Sequence, residues 1–358
     1  MKIKEMQKIL MEKGIDVALF YNLEFDRINP NFSYLSGYDD IGFLVIPKNK
    51  KPFLLLPGMD FEKYHNKDVQ KIRLEKKTKA LEQINGILKR KKIRARKIGL
   101  DHSMVSMKMM KSIRKGIKGK YIDVSSDCDD LRKCKTNKEM DKLKKACKVS
   151  DKVMQNLILM IKKRKIKTEK GAELFLHIET IKNGCEMSFN PIVASGKMAS
   201  IPHYKPTDAR FRKGFCVIDY GACYRGYKAD MTRTLYFGKP SAEEIKIYNK
   251  VLRCQETIIK EARAGDRCDK VYLRSLELLG EYKDKFIHGL GHGIGLKIHE
   301  LPSLSSFSKE KITEGQVFTV EPGVYFKNKL GIRIEDDVVM AGGKAKLLTK
   351  TTKKLTII

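Results

Sequence analysis

Asp219 closes the apolar run Phe215 to Ile218, and Asp230 follows eleven residues later in another β-prone stretch. A carboxylate in apolar surroundings is costly to bury unless a cation neutralises it. A hairpin can bring the second acid back beside the first, where both would face one cation. As turn and cap residues they would need none, and their spacing alone leaves both readings open. A second segment, His288 to Glu300, sets His288, His292 and His299 among four glycines in a chain with only seven His. Glycine frees the backbone to take positive φ and to approach a ligand closely. The spacing is not His-Glu-x-x-His, so a helical zinc site is disfavoured. Two further acids sit in strand-like runs, Glu321 after Val317 to Val320 and Glu335 within Gly331 to Val339. In an alternating strand Arg333 shares a face with Glu335 and is expected to orient it, an ordinary ion pair within the strand being the simpler alternative. Asp336 and Asp337 read as surface or turn acids.

Asp219, Asp230, Glu321, Glu335 and His292 together make four carboxylates and one imidazole, a mainly hard donor set. Two divalent ions would balance the four negative charges, and a water shared between them loses its proton near neutral pH. Mn, Co, Fe or Zn suits such ligands better than a thiolate-seeking metal, with Mn and Co preferred; the ligand set does not choose among them.

These residues need strands to carry them and helices to cover the strands. The chain has 358 residues, 42% hydrophobic and 33% charged, enough for two to three domains with real cores and too apolar for wholesale disorder. An amphipathic stretch with Met6, Ile9 and Leu10 stops at Gly14 before the strand-like run Val17 to Tyr21. Ile41 to Ile46 and Phe53 to Leu56 flank a polar Pro-bounded turn and read as a hairpin. Lys97 to Asp101 and Tyr121 to Val124 read as strands around a Met-rich helix, which gives an α/β domain over residues 1–130. A long amphipathic helix from Leu131 to Ile161 opens the second domain, residues 131–358. Thr168 caps a helix reaching Ile181, Ser241 opens another with a capping box, and the remainder reads as strands punctuated by glycine.

The eight Cys are scattered with no C-x-x-C pair, so buried free thiols in a reducing compartment are expected. No apolar run approaches the roughly 18 residues of a membrane span, and the N-terminus lacks the pattern of an export signal. The expected setting is cytoplasmic, with no membrane partner. The 74 Lys and Arg against 43 Asp and Glu leave a net charge of +31. Dense runs at Lys89 to Lys97 and Lys162 to Lys165 predict a non-specific, salt-sensitive attraction to nucleic acid.

Taken in order, Phe189 to Gly196, Ile201-Pro202-His203, the segments around Asp219 and Asp230, the histidine run, Glu321-Pro322-Gly323 and Arg333-Ile334-Glu335 resemble the pita-bread metallopeptidase family of prolidase, aminopeptidase P, methionine aminopeptidase and creatinase. The match runs over nearly the whole chain. It implies an α/β (α+β) fold with a creatinase-like N-terminal domain and a pita-bread catalytic domain. It also implies that Asp219, Asp230, His292, Glu321 and Glu335 are the ligands of two metal ions, with Asp230 and Glu335 bridging. Glu321 would also transfer the proton, and His203, His288 and His299 would hold the substrate and its transition state.

An N-terminal domain of this length resembles prolidase and aminopeptidase P, implying a peptide with proline in second position and a homodimer. A dipeptidase needs a cation for the free proline carboxylate. Many family members carry Arg after His-Glu-x-Pro, whereas Ser303 stands there in this chain. The sequence thus leans towards an aminopeptidase P that tolerates dipeptides, with Xaa-Pro dipeptidase proper as the alternative. A third reading is a catalytically silent domain that binds nucleic acid or acidic proteins through its basic surface.

Overall fold

The computed structural model describes residues 2–24, 28–76 and 78–358. Two compact units divide the chain, residues 1–132 and 133–358. In the first, α1 (Lys2–Glu12) buries Met6 and Leu10, one turn apart on one face, and ends before Gly14, whose φ of 62° only glycine adopts readily. Strands β1 (Val17–Asn22), β2 (Gly42–Pro47), β3 (Phe53–Leu56), β4 (Gln70–Arg73), β5 (Lys97–Leu100) and β6 (Lys120–Asp123) form one sheet in the order β4-β3-β2-β1-β5-β6. The expected hairpin is the antiparallel pair β2 and β3, while β5 and β6 run parallel. After α2 (Pro30–Ser36), helices α3 (Ala80–Arg90) and α4 (Met107–Gly116) bury Ile84, Ile87 and Ile113 against Leu19, Val45 and Phe53 of the sheet.

The long helix expected from Leu131 is interrupted. Helix α5 (Ser125–Lys133) stops, Cys134 bridges to Gln316, and α6 (Asn137–Lys162) begins afresh where Thr136 and Glu139 close a capping box. Thr168 caps α7 (Glu169–Lys182) as expected. The strands that follow are β7 (Glu186–Met187), β8 (Ile192–Ser195), β9 (Gly214–Tyr220), β10 (Ala222–Tyr224), β11 (Tyr227–Lys228) and β12 (Met231–Phe237). Helix α8 (Ala242–Glu261) has the capping box read at Ser241 and Glu244. Helix α9 (Cys268–Leu279) lies in a stretch read as strands; it buries Cys268, Val271, Ser275 and Leu279, a helical spacing that the glycines on either side obscured.

Strands β13 (Gly291–Gly293), β14 (Glu300–Leu304), β15 (Val317–Val320), β16 (Gly323–Phe326), β17 (Leu330–Arg333), β18 (Asp336–Ala341), β19 (Lys344–Leu347) and β20 (Thr356–Ile357) complete the unit. Two sheets matter for the site, β20-β12-β9-β8 and β14-β13-β15-β18-β19. Alternation along β9 divides its side chains between two cores. Cys216, Ile218 and Tyr220 pack with α6 and α7, while Phe215 and Val217 pack with α8, α9, β15 and β18. The period of two therefore sends Asp219 to the face of Phe215 and Val217.

Seven of the eight free cysteines are buried, with Cys134 the exposed exception. No helix among the described residues is long and apolar enough to cross a membrane.

Candidate metal centre and active site

Antiparallel pairing of β9 with β12 places Asp219 opposite Thr232 and Tyr220 opposite Met231, so Asp230 arrives at the end of the same ladder. The small hairpin of β10 and β11 fills the eleven-residue interval. His292 comes from β13, Glu321 from the end of β15, and Glu335 from the short link between β17 and β18. The glycines beside His292 have another purpose than the one expected of them. None from Gly289 to Gly295 has positive φ. A side chain on Gly291 would stand 2.0 Å from the Thr319 carbonyl, and one on Gly293 2.1 Å from that of Leu301, so glycine here lets β13 lie close against its two neighbours.

Single donor atoms of Asp230, His292 and Glu335 lie within 4.8 Å of one another. His292 Nε2 is 3.7 Å from Asp230 Oδ2 and 3.5 Å from Glu321 Oε1. Its Nδ1 lies 3.1 Å from the Gly293 carbonyl, which can only accept, so Nδ1 carries the proton and Nε2 turns its lone pair to the acids. Thr319 fixes the ring's strand by accepting the His292 N–H at 3.0 Å. Glu335 Oε2 accepts the Thr232 hydroxyl at 2.6 Å, while Asp219 Oδ1 and Asp230 Oδ1 are buried with no hydrogen-bond partner among the described residues. Oxygens left bare inside a cluster of like charges are what a bound cation would satisfy. The donor set therefore fits divalent metal, with Asp230, His292 and Glu335 as its tightest three.

Arg333 corrects an expectation. Glu335 lies beyond the end of β17, so the assumed alternation breaks, and the guanidinium reaches Asp219 Oδ2 at 2.6 Å instead of Glu335. It also donates to Thr232 Oγ1 at 3.0 Å and to the Tyr325 hydroxyl at 2.8 Å. Asp336 and Asp337 are likewise not surface acids, both being fully buried. Asp336 accepts from Arg233, Gln255 and Thr349. Asp337 accepts the Asp230 N–H at 2.9 Å and so holds that residue's backbone. Sequence gave no warning, because a charged pair at a strand start looks the same whether solvent or an arginine faces it.

His203, His288 and His299 line the same cleft of about 1080 Å³ as the five donors and Arg333. His288 is the most restrained. Its Nδ1 donates to the Gly289 carbonyl at 2.8 Å, and its Nε2 accepts the Tyr325 hydroxyl at 3.0 Å. His299 packs edge-on against His292, with ring centroids 4.4 Å apart, and His203 is exposed on the loop after Ser200. Tyr325 and Glu169 were missed by sequence reasoning. Glu169 reads as an ordinary acid in the first turn of a capped helix. In the fold it is fully buried and accepts from the Ser195 hydroxyl at 2.7 Å, Tyr204 at 3.1 Å and Thr207 at 3.0 Å, tying the His203 loop to α7.

Burial, followed by the charge of neighbouring acids, holds the Asp230 and Glu335 carboxyls well above the usual range, and burial raises Glu321 as well. Burial also pushes Asp337 up to about 8. Without metal, the folded protein keeps protons on these acids that the unfolded chain has released, so they make stability fall as pH rises above their ordinary values of 3.8 to 4.5. The histidines oppose this at lower pH. Burial lowers His288, His292 and His299, so below 6.5 the unfolded chain binds the extra protons and stability rises with pH. From pH 6.5 to 8 the histidine contribution fades while Asp337 and the other raised acids still act, and the melting temperature of metal-free protein is expected to fall towards pH 8. Added Mn should remove the share due to Asp230 and Glu335. Calorimetry with and without metal checks this, and a metal-free melting temperature that rises across the window would contradict unbalanced carboxylates.

The profile described as the Creatinase/Prolidase N-terminal domain matches residues 2–134, and that of metallopeptidase family M24 matches residues 141–341. The chain belongs to metallopeptidase family M24. It is thus an enzyme with a creatinase-type N-terminal domain and a pita-bread catalytic domain, as the ordered motifs implied. Among M24 relatives, the chain is 35% identical to the Xaa-Pro dipeptidase of Pyrococcus furiosus over 99% of both proteins. A solved Xaa-Pro dipeptidase from Bacillus anthracis superposes with a TM-score of 0.92 at 28% identity, covering 100% of this chain and 99% of that one. The X-Pro aminopeptidase of Thermotoga maritima gives 0.87 at 31% identity, covering 96% and 98%.

Proposed function

We propose that this M24 enzyme is an Xaa-Pro dipeptidase whose two divalent ions are held by Asp219, Asp230, His292, Glu321 and Glu335. The observation that carries the reading is the gathering of these five donors, with unpartnered buried oxygens on Asp219 and Asp230, in the cleft that also holds His203, His288 and His299. Bound metal would neutralise the acids, ease ionisation of a water and polarise the scissile carbonyl. Mn and Co are the ions to try first, since the donors themselves do not choose among Mn, Co, Fe and Zn.

The chain's own groups supply the rest. Glu321 is half-buried in the cleft wall with a raised affinity for protons, as suits a group that takes one from water and passes it to the leaving imino nitrogen. Desolvation within the cleft, then the neighbouring His292 and His203, lower His299, which favours the neutral ring that can turn an N–H to the oxygen of the reacting carbonyl. His203, exposed at the cleft mouth, is placed to meet the substrate's ends. His288 has both ring nitrogens engaged and acts as a wall: its Nε2 accepts the Tyr325 hydroxyl, whose oxygen accepts from Arg333, and Arg333 donates in turn to Asp219.

Dipeptidase is favoured over the aminopeptidase P reading because relatives matching the chain from end to end carry the dipeptidase name. The missing arginine at Ser303 has a replacement in the cleft. Among its described lining residues the cations are Lys170, Lys205 and Arg333. Arg333 is taken by Asp219, and Lys170 lies 2.6 Å from Glu173. Lys205, exposed two residues from His203, is our assignment for the substrate's proline carboxylate.

Hydrolysis of Ala-Pro and Ala-Pro-Ala, with Mn or Co and after chelation, tests the reading. Metal-dependent cleavage with Ala-Pro faster by about tenfold or more, the worth of one charge-assisted contact, is expected. Faster cleavage of Ala-Pro-Ala would restore the aminopeptidase reading. No cleavage of either peptide with any metal would leave the silent binding domain.

A further inference from the structure

The first unit contains a surface that peptide hydrolysis does not use. Residues 1–132 carry 29 Lys and Arg and 17 Asp and Glu, yet outside 89–120 the two numbers are equal, at 16 each. The whole charge excess of the unit therefore lies in one stretch of 32 residues, with thirteen cations and a single acid, Asp101. Asp101 is 2% exposed and is engaged by Asn31 and Ser103, so it offers the surface nothing. A merely Lys-rich composition would spread its excess evenly; this unit concentrates it.

The fold gathers that stretch. The turn after α3, the parallel pair β5 and β6, and α4 bring twelve of the thirteen cations to exposed positions, and none forms an ion pair among the described residues. Elsewhere in the unit Lys13, Lys48, Lys63 and Lys71 all have acidic partners. Lys89, Arg94, Arg96 and Lys118 line one surface depression of about 650 Å³. Lys118 also lines the adjoining one, with Arg114 and Lys120. Lys97 and Lys120 stand directly opposite each other across β5 and β6, a like-charge pairing that weakens the sheet unless an anion lies over it.

We propose that this face binds the phosphate backbone of nucleic acid without reading its sequence. Regularly spaced phosphates suit unpaired cations along a shallow, continuous track. The guanidinium of Arg114 covers the ring of Tyr121, the one aromatic residue lining these depressions, so base stacking is not on offer. An anionic bilayer is the poorer fit. Between 89 and 120 the large apolar side chain exposed to solvent is Met107, and the other apolar residues of α4, Met109, Met110 and Ile113, turn into the core.

The test uses the full-length, metal-loaded enzyme and a labelled DNA duplex of about 20 base pairs, read by fluorescence anisotropy between about 0.05 and 0.2 M salt. Affinity should fall steeply with salt. The triple variant R94Q/R96Q/K118Q should bind at least about tenfold more weakly and lose about 2.7 from the slope of log affinity against log salt, at about 0.9 per phosphate contact. The charge-keeping variant R94K/R96K/K118R should retain binding, and all forms should hydrolyse peptide at the parent rate. Matched removal of charge in the second unit, K162Q/K163Q/K165Q, should leave affinity within about twofold. The proposal is overturned if the duplex does not bind at the lowest salt, if the second-unit variant weakens binding as much, or if the patch proves necessary for phosphatidylglycerol vesicles and not for the duplex.

Discussion

Replacing Asp230 with alanine is expected to reduce kcat/KM by at least about a thousandfold, because metal polarisation and water activation supply several kcal/mol to such a reaction and each 1.4 kcal/mol is about a factor of ten. The fold should survive. The residue's structural duty is its backbone N–H, which donates to Asp337 and which alanine retains. Removing the side chain also deletes one member of a cluster in which Glu335, Asp219 and Glu321 all raise the Asp230 carboxyl. The metal-free variant should therefore melt no lower than the metal-free parent at pH 7 to 8, while metal titration shows weakened uptake. Thermal melts, metal analysis and Ala-Pro hydrolysis test this together. Near-normal turnover would sink the assignment of Asp230 as a ligand.

The second large effect belongs to Arg333, whose guanidinium is buried between Asp219, Thr232 and Tyr325. Arg333→Met removes the counter-charge from Asp219 and leaves a buried carboxylate alone, a change that costs about 3–5 kcal/mol. The loss should be greatest without metal, since a bound ion takes over the neutralisation of Asp219. Metal binding should weaken by about 10- to 100-fold, the usual effect of removing a group that orients a ligand. Arg333→Lys restores the charge and not the three-way fork, so it should recover stability better than activity. Denaturant melts of both variants, with and without Mn, give the comparison. Equal destabilisation in the two metal states would show that Arg333 serves packing alone.

The sequence was legible wherever chemistry or periodicity left a mark on residue types. Acids ending apolar runs, histidines concentrated in one segment, and Ser or Thr three residues before Glu all carry their meaning locally. Strands β1, β2, β3, β5 and β6, the capped helices α7 and α8, and the five candidate donors that line the cleft all left such marks. Helix α9 escaped because flanking glycines masked its spacing. The break at Cys134 escaped because a bridge to Gln316, far along the chain, competes there with the helix.

Partnership was decided by tertiary structure. Arg333 faces Asp219 and not its chain neighbour Glu335, because β17 ends between them and β9 lies alongside. Asp336 and Asp337 are buried because Arg233 and the Asp230 backbone wait for them across the sheet. Glu169 anchors a loop some 35 residues away along the chain. The glycines around His292 answer to the carbonyls of Thr319 and Leu301. Residue type fixes what a side chain can do, and its local pattern fixes the element that carries it. Whether a charge meets a counter-charge, a metal or water depends on which distant strand lies beside it, and only closure of the sheets determines that.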